Sequence, residues 1–114
     1  MIMLPPIITL TSDFGEIDDY VGVMKGVILS IAPTAQIVDI THQIEPQNIR
    51  QAASIIRNIY PYYPQHTVHV VIVDPGVGTQ RRPIAIQTNR GAFIAPDNGV
   101  LTSVINTEPD LNII

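Results

Sequence analysis

The sequence contains no cysteine and no tryptophan, and only 5% of its residues are aromatic. The absence of cysteine excludes disulfides, thiolate nucleophiles and cysteine-ligated metal sites, and it agrees with a cytoplasmic location, which we expect for this protein. No apolar run approaches the roughly 18 residues that a membrane-spanning helix needs. We therefore expect no membrane partner.

Charge is also scarce, because only 14% of the residues are charged and the formal net charge is −4. The six lysine and arginine residues are scattered and form no basic run, which argues against a nucleic-acid partner. A chain so poor in charge is expected to hide part of its surface against another subunit or domain.

What the sequence does contain is a regular alternation of apolar segments, in a chain of 114 residues that is 46% hydrophobic. Apolar and β-branched runs predict strands, and amphipathic or apolar periodicity between prolines and glycines predicts helices. The predicted strands cover residues 7–11, 36–40, 67–74, about 83–86, 92–95 and 111–114; the predicted helices cover residues 18–32, 47–60 and 99–107.

The predicted order is therefore β-α-β-α-β-β-β-α-β, within one domain. Strands separated by helices favour an α/β fold with a mostly parallel sheet flanked by helices, in three layers and similar to a Rossmann fold. In the first helix, Asp18 or Asp19 is the expected N-cap, and five apolar side chains fall on one face: Val21, Met24, Val27, Ile28 and Ile31.

The first candidate site is the acidic stretch LTSDFGEIDDY, residues 10–20, which follows a predicted parallel strand and precedes a helix. Ligands bind α/β sheets at such positions. One carboxylate, such as that of Asp13, can accept hydrogen bonds from both hydroxyls of a ribose, and Asp18 and Asp19 lie near a helix amino terminus that stabilises negative charge. A capping loop with solvated acids explains the same residues.

The second candidate site is VDPGVGTQRRPI, residues 73–84. Asp74 ends the strongest predicted strand, and the turn that follows can bring Arg81 close to it. The alternative is a hairpin turn with a surface ion pair, which contributes little to stability.

The third candidate is IAPDNG, residues 94–99, in which Asp97 and Asn98 again follow a strand and precede a helix. Taken alone, this segment is better explained by an ordinary turn with an N-cap. Because three polar clusters follow three strands, we expect them to share one crevice. The histidines add little, although His42 follows the second strand and is a candidate for the rim of that crevice.

Four segments together carry a resemblance to a known family: TSDFGEIDDYVGVMKGVI, DITHQIEPQNIRQAA, VVIVDPGVGTQRRPIAI and FIAPDNGVLT. In this order they resemble the amino-terminal domain of the S-adenosyl-L-methionine (SAM) hydroxide adenosyltransferases. These SAM hydrolases are relatives of the SAM-dependent fluorinase and chlorinase. The resemblance covers nearly the whole chain.

The resemblance implies that SAM is cleaved by water or hydroxide to adenosine and L-methionine, without a cofactor or metal. It implies that Asp13 holds the ribose hydroxyls and that Asp18 lies near the methionine part. It also implies that Asp74 and Arg81 hold and activate the water, whereas the halogenating branch has an aromatic residue in place of Asp74. The chain is therefore more similar to the hydrolase branch.

In that family a third catalytic residue, a histidine, and most adenine contacts belong to a carboxyl-terminal domain, often from a neighbouring subunit of a trimer. Residues 1–114 are accordingly expected to be an amino-terminal domain whose carboxyl-terminal domain is absent from this chain. The expected assembly is a homo-oligomer, a trimer by resemblance.

Two other functions fit part of the sequence. Nucleoside hydrolases bind calcium and ribose through an acidic loop after the first strand, and SDFGEIDD is similar to it. However, Thr11 stands near the place of the first aspartate, and calcium needs six to eight oxygen ligands. The other alternative is a non-catalytic remnant of the SAM hydrolase family that binds adenosine or SAM, or only assembles.

Overall fold

A computed structural model describes residues 4–73 and 82–114 of the chain. The elements in chain order are β1 (Ile7–Ser12), α1 (Tyr20–Ile31), β2 (Gln36–Thr41), α2 (Ile49–Ile59), a 3-10 turn (Tyr60–Tyr62), β3 (Thr67–Ile72), β4 (Pro83–Thr88), β5 (Gly91–Pro96), α3 (Thr102–Thr107) and β6 (Asn112–Ile113). This order confirms the one predicted from the sequence. The largest difference in bounds is that α3 begins three residues later than predicted; α1 and α2 each begin two residues later, and β3 ends two residues earlier, at Ile72.

The six strands form one sheet in the order β2-β1-β3-β5-β4-β6. Strand β1 pairs in parallel with β2 and β3, and β3 pairs in parallel with β5. Strand β4 runs antiparallel to both β5 and β6. The mostly parallel α/β sheet is therefore confirmed, with an antiparallel hairpin at one side.

The β4–β5 hairpin depends on a glycine at its turn. Gly91 has φ +133°, and a Cβ at this position would lie 2.8 Å from the backbone oxygen of Thr67. Only glycine has no side chain to clash there, so β5 can begin close beside β3.

Helices α1 and α2 cover opposite faces of the sheet. Successive residues of a strand point to opposite faces. Lys25 of α1 contacts Asp39, whose register partner in β1 is Leu10, whereas α2 packs in a cluster with Val71, whose partner is Thr11. The fold thus has the three layers that the sequence predicts.

The main core lies between the sheet and the α2–α3 side. It is made of buried side chains from α2, α3, β3, β4, β5 and the connecting loops: Ile44, Ala52, Ile56, Tyr60, Val71, Val73, Ile86, Phe93, Ala95, Val100, Leu101 and Val104. Helix α2 is fixed at its start by Asn48, whose side chain accepts a hydrogen bond from the backbone N–H of Gln51 at 3.0 Å.

Helix α1 is much less covered than α2, because none of its residues is buried. The single apolar face predicted for it is split: Val21, Met24 and Ile28 are partly covered, whereas Val27 and Ile31 are 55% and 80% exposed. No helix in the described residues is long and apolar enough to cross a membrane.

Candidate active site

The three predicted polar clusters follow strands β1, β3 and β5, which are adjacent and parallel. Their carboxyl ends therefore meet at one edge of the sheet, where α/β proteins bind ligands. Asp13 follows β1, Val73 follows β3, and Asp97 and Asn98 follow β5. The strands that precede the three clusters therefore end at one edge, while the shared crevice stays a prediction, because residues 74–81 lie outside the described residues.

Asp13 is held firmly at this edge. Its backbone N–H donates to the carbonyl of Ile72 at the end of β3 (3.4 Å), and its Oδ2 accepts from the backbone N–H of Gln47 at 2.8 Å. The side chain is partly buried, and the second carboxylate oxygen has no hydrogen-bond partner among the described residues. That oxygen remains able to accept hydrogen bonds from a ligand hydroxyl.

Asn98 reaches the same strand end from the other side. Its Nδ2 donates to the carbonyl of Val73 at 2.8 Å, and its Oδ1 accepts from the backbone N–H of Val100 at 3.1 Å. The amide thus joins β3 to the turn before α3. This structural use of the side chain differs from the predicted ligand contact, although one N–H and one lone pair remain for such a contact.

The other predicted acids lie at the outer side of the edge. Asp97 is exposed, and its backbone N–H donates to the carbonyl of Arg82. Asp18 is also exposed, in the loop before α1. Asp19 occupies the N-cap position of α1 as expected, but its side chain makes no capping hydrogen bond. These acids are therefore open to a ligand or to solvent.

The proposed catalytic pair, Asp74 and Arg81, lies outside the described residues. Val73, the residue before Asp74, contacts Asn98, and Ile72 contacts Asp13. The roles of Asp74 and Arg81 in catalysis remain predictions.

The acidic loop and its neighbours do not form a side-chain cage for a metal ion. Across residues 4–73 and 82–114, no three His, Cys, Asp or Glu side chains are grouped closely enough to hold one. The calcium-dependent alternative therefore has no protein carboxylate cluster to support it in this part of the chain.

The structure also contains a hydrogen-bond network, buried at Ser12 and His42 and exposed at Asp39, that the sequence did not predict. Ser12 Oγ lies 2.6 Å from His42 Nδ1, and His42 Nε2 lies 2.7 Å from Asp39 Oδ1. The side chain of His42 is only 2% exposed, so the prediction that it lies at the rim of the crevice is wrong. Only the i, i+3 spacing of Asp39 and His42 gave a sequence signal, and it is weak.

Comparison with known proteins agrees with these motifs. Residues 8–114 match the family model described as "SAM hydroxide adenosyltransferase N-terminal domain". An (R)-S-adenosyl-L-methionine hydrolase of Methanocaldococcus jannaschii is 47% identical over 103 residues, covering 86% of this chain and 39% of that protein. A fluorinase of Actinoplanes is 32% identical over 123 residues, covering 88% of this chain and 41% of that protein.

Among solved structures, an uncharacterized conserved protein from Thermotoga maritima superimposes with a TM-score of 0.85 and 45% identity, covering 95% of this chain and 42% of that one. The chain thus spans less than half the length of each of these three proteins. Since the family model matches almost the whole chain, the chain belongs to the SAM hydroxide adenosyltransferase family.

Proposed function

We propose that this chain provides the ribose-binding half of a site that cleaves S-adenosyl-L-methionine at C5′ with water or hydroxide, giving adenosine and L-methionine. The observation that carries the proposal is the geometry of Asp13. One of its carboxylate oxygens is fixed by the Gln47 N–H, and the other has no partner among the described residues. A carboxylate held in this way is preorganised to accept hydrogen bonds from a ribose diol.

The charge of the site suits the substrate. SAM is a sulfonium cation, and Asp18, Asp19 and Glu16 are exposed beside Asp13. Attraction between this acidic loop and a positive ligand favours binding, and it weakens as salt screens it. Asp18 is proposed to lie near the methionine part, while Asp97 and Asn98 contribute from the turn after β5.

The reaction needs little acid catalysis. An oxygen of water or hydroxide forms a bond to C5′, the C5′–S bond breaks, and its electron pair goes to sulfur. Methionine therefore leaves as a neutral thioether, and a proton is lost from the attacking water. The protein must mainly orient the nucleophile and limit its solvation.

Asp74 and Arg81 are the residues that we propose to handle this nucleophile. Arg81 stays protonated at neutral pH, so it serves as a charge-stabilising donor and not as a base. Asp74 either accepts the proton or orients the water. The stronger similarity to a SAM hydrolase than to a fluorinase, 47% against 32% identity, supports water as the nucleophile over a halide.

Calorimetric titration of the chain with adenosine and with SAM tests the binding half of the proposal. Asp13→Ala is expected to weaken adenosine binding by roughly 10- to 100-fold, since hydrogen bonds to a charged group contribute about 1.5–3 kcal/mol. Asp110→Ala is the matched control, because Asp110 is an exposed aspartate that bonds to Asn89 instead. Equal affinity of the wild type and the Asp13 variant would remove Asp13 from the ribose site.

Adding EDTA to the same titration separates the calcium-dependent alternative. We expect adenosine and SAM binding to be unchanged by EDTA. Binding that disappears with EDTA and returns with calcium would favour a nucleoside hydrolase-like function.

Incubation of the chain with SAM, followed by chromatography for adenosine, tests the reaction itself. Formation of adenosine would show that the chain itself catalyses the cleavage. Binding of SAM without any adenosine would instead support the non-catalytic alternative, in which the chain only binds the ligand or assembles.

A homo-oligomer, with a trimer as the family-based expectation, is part of the same proposal. It is supported by the low charge content and by apolar side chains on the outer surface of α1, where Tyr20, Val23, Val27 and Ile31 are all more than half exposed. Such apolar surface is typical of an interface.

A further inference from the structure

Four polar side chains form a continuous chain from the surface of α1 to the base of the acidic loop. Lys25 on α1 donates to Asp39 Oδ2 on β2, and Asp39 Oδ1 lies 2.7 Å from His42 Nε2. His42 Nδ1 lies 2.6 Å from Ser12 Oγ at the end of β1. Ser12 is fully buried and His42 nearly so, which makes the hydrogen bond between them costly to lose.

A β-bulge makes this chain possible. Leu10 of β1 is paired with Asp39 of β2, but the next residue, Thr11, is paired with Thr41, so Ile40 is an extra residue in β2. In a regular strand Asp39 and His42 would point to opposite faces. The bulge turns His42 to the face of Asp39 and places it beside Ser12, so both residues lie on the side that α1 covers.

The charge of Asp39 fixes which nitrogen of a neutral His42 ring carries the proton. Burial alone would raise the pKa of Asp39, but hydrogen bonds from Lys25 and His42 outweigh it and lower that pKa below its usual 3.8. An ionised Asp39 only accepts, so His42 Nε2 carries a proton. In the neutral imidazole Nδ1 is then an acceptor, and the Ser12 hydroxyl donates to it.

This direction leaves the lone pairs of Ser12 Oγ for the backbone of the acidic loop. Ser12 Oγ accepts the N–H of Phe14 at 3.3 Å, and the carbonyl of His42 accepts the N–H of Gly15 at 2.7 Å. Gly15 has φ +73°, which completes a tight turn. Both contacts hold the two residues that directly follow Asp13, whose own carboxylate is bound by Gln47 from the same segment after β2.

Ser12 is not placed as a nucleophile, although serine, histidine and aspartate also form hydrolase triads. Its hydroxyl is fully buried, and its oxygen is engaged by the Phe14 N–H. A nucleophile must reach the substrate. The network therefore acts on the loop and not on the ligand.

We propose that Ser12, His42 and Asp39 are positioning residues that aim the Asp13 carboxylate at its ligand, an inference that rests on the proposed ribose-binding role of Asp13. The hydrogen bond between Ser12 and His42 holds the backbone that follows Asp13 in place. The contacts of Asp39 with Lys25 and with His42 Nε2 leave Nδ1 as the nitrogen that accepts from Ser12.

Three variants of one residue test this mechanism. In His42→Asn the side-chain oxygen can take the place of Nδ1 and accept from Ser12, whereas in His42→Gln the amide nitrogen can take the place of Nε2 and donate to Asp39. His42→Ala keeps neither contact. We expect adenosine affinity to fall roughly ten-fold in the Ala and Gln variants and to return to within about three-fold of wild type in the Asn variant.

A purely structural role for His42 predicts a different result, in which affinity follows the unfolding free energy across the three variants. Ser12→Ala, a smaller change that keeps His42, is expected to weaken adenosine binding as much as His42→Ala does. If neither Ser12→Ala nor a folded His42 variant changes affinity while Asp13→Ala abolishes it, the positioning role is wrong and the ribose-binding role stands.

Backbone amide resonances of the ligand-free protein give a second readout that needs no ligand. We expect the resonances of Phe14 and Gln47 to shift in Ser12→Ala and His42→Ala and to be largely restored in His42→Asn. If they shift in this way while Asp13→Ala binds adenosine normally, the network orients Asp13 but the ribose-binding role is wrong. Unshifted resonances in the Ser12 variant would overturn the positioning role.

Discussion

Gln47 is the residue whose backbone conformation is most unusual for its type. Its φ is 65°, the only positive φ of a non-glycine residue in the described chain, and its N–H binds the Asp13 carboxylate. A left-handed conformation costs a non-glycine residue about 1–2 kcal/mol. The strain therefore lies directly beside the proposed ribose site, which is where strained residues tend to occur.

Replacing this residue by glycine tests the strain. Gln47→Gly keeps the N–H and removes the steric cost, while it adds about 0.5–1 kcal/mol of unfolded-state entropy. We expect a net gain of about 0.5–1 kcal/mol in the free energy of unfolding, measured with urea, and unchanged adenosine affinity. Gln43→Gly is the control, because Gln43 is exposed in the same loop with a negative φ and should lose stability. An equal loss of unfolding free energy in both variants would show that the backbone at Gln47 is not strained.

At the scale of single elements, strand β3 is unusual because it carries a buried histidine, His69. His69 is fully buried, its Nδ1 lies 2.8 Å from Thr9 Oγ1 of β1, and its ring stacks on Phe93 of β5 at a centroid distance of 5.0 Å. Its Nε2 has no partner among the described residues. Burial lowers the pKa of His69 from 6.5 to about 4, so the neutral ring belongs to the folded state.

This pKa makes the stability of the sheet depend on pH. Between pH 4 and 6.5 the unfolded chain binds a proton at His69 that the folded chain does not bind, so stability rises with pH in that range. The contribution of neutral His69 to the free energy of unfolding is fully present above about pH 6.5 and decreases by up to about 3 kcal/mol toward pH 4. Urea unfolding at several pH values should show that the free energy of unfolding of His69→Gln rises less steeply with pH than that of the wild type.

The exposed loop residue His66 provides the control for this prediction. His66→Gln should leave the slope between pH 4 and 6.5 unchanged. If both variants keep the wild-type slope, another group causes the pH dependence.

At the scale of the whole molecule, the uneven cover of the sheet is the main feature. The α2–α3 side holds the core, whereas α1 has no buried residue. Tyr20, Val23, Val27 and Ile31 recur three or four residues apart and form one exposed apolar stripe. In a protein with so few charges, this stripe is the surface that we expect an assembly to cover.

A single charge on the stripe tests the assembly. Val27→Lys should shift the protein toward smaller species in sedimentation velocity, because a lysine at a packed interface must be desolvated. Asn58→Lys adds the same charge at an exposed position of α2 and should leave the distribution unchanged. A wild-type protein that is monomeric at all concentrations would contradict the assembly itself.

The sequence by itself determined the order of elements, the mixed but mostly parallel sheet and the acidic edge after β1. These features depend on local signals: β-branched runs, helical periodicity, and the prolines and glycines between them. Asp13 could be proposed as a ligand residue because it directly follows a buried strand, and parallel strands end at one edge. The family resemblance rests on the same local motifs.

Only the tertiary structure decided which polar side chains form hydrogen bonds within the fold and which remain exposed at the edge of the sheet. The bulge in β2 joins Asp39, His42 and Ser12, and the amide of Asn98 is drawn to Val73 of a neighbouring strand. The exposure of Val27 and Ile31 was likewise not encoded in their spacing, because it depends on how α1 lies on the sheet. Contacts between residues far apart in sequence depend on strand register, and one extra residue reverses the side to which a side chain points.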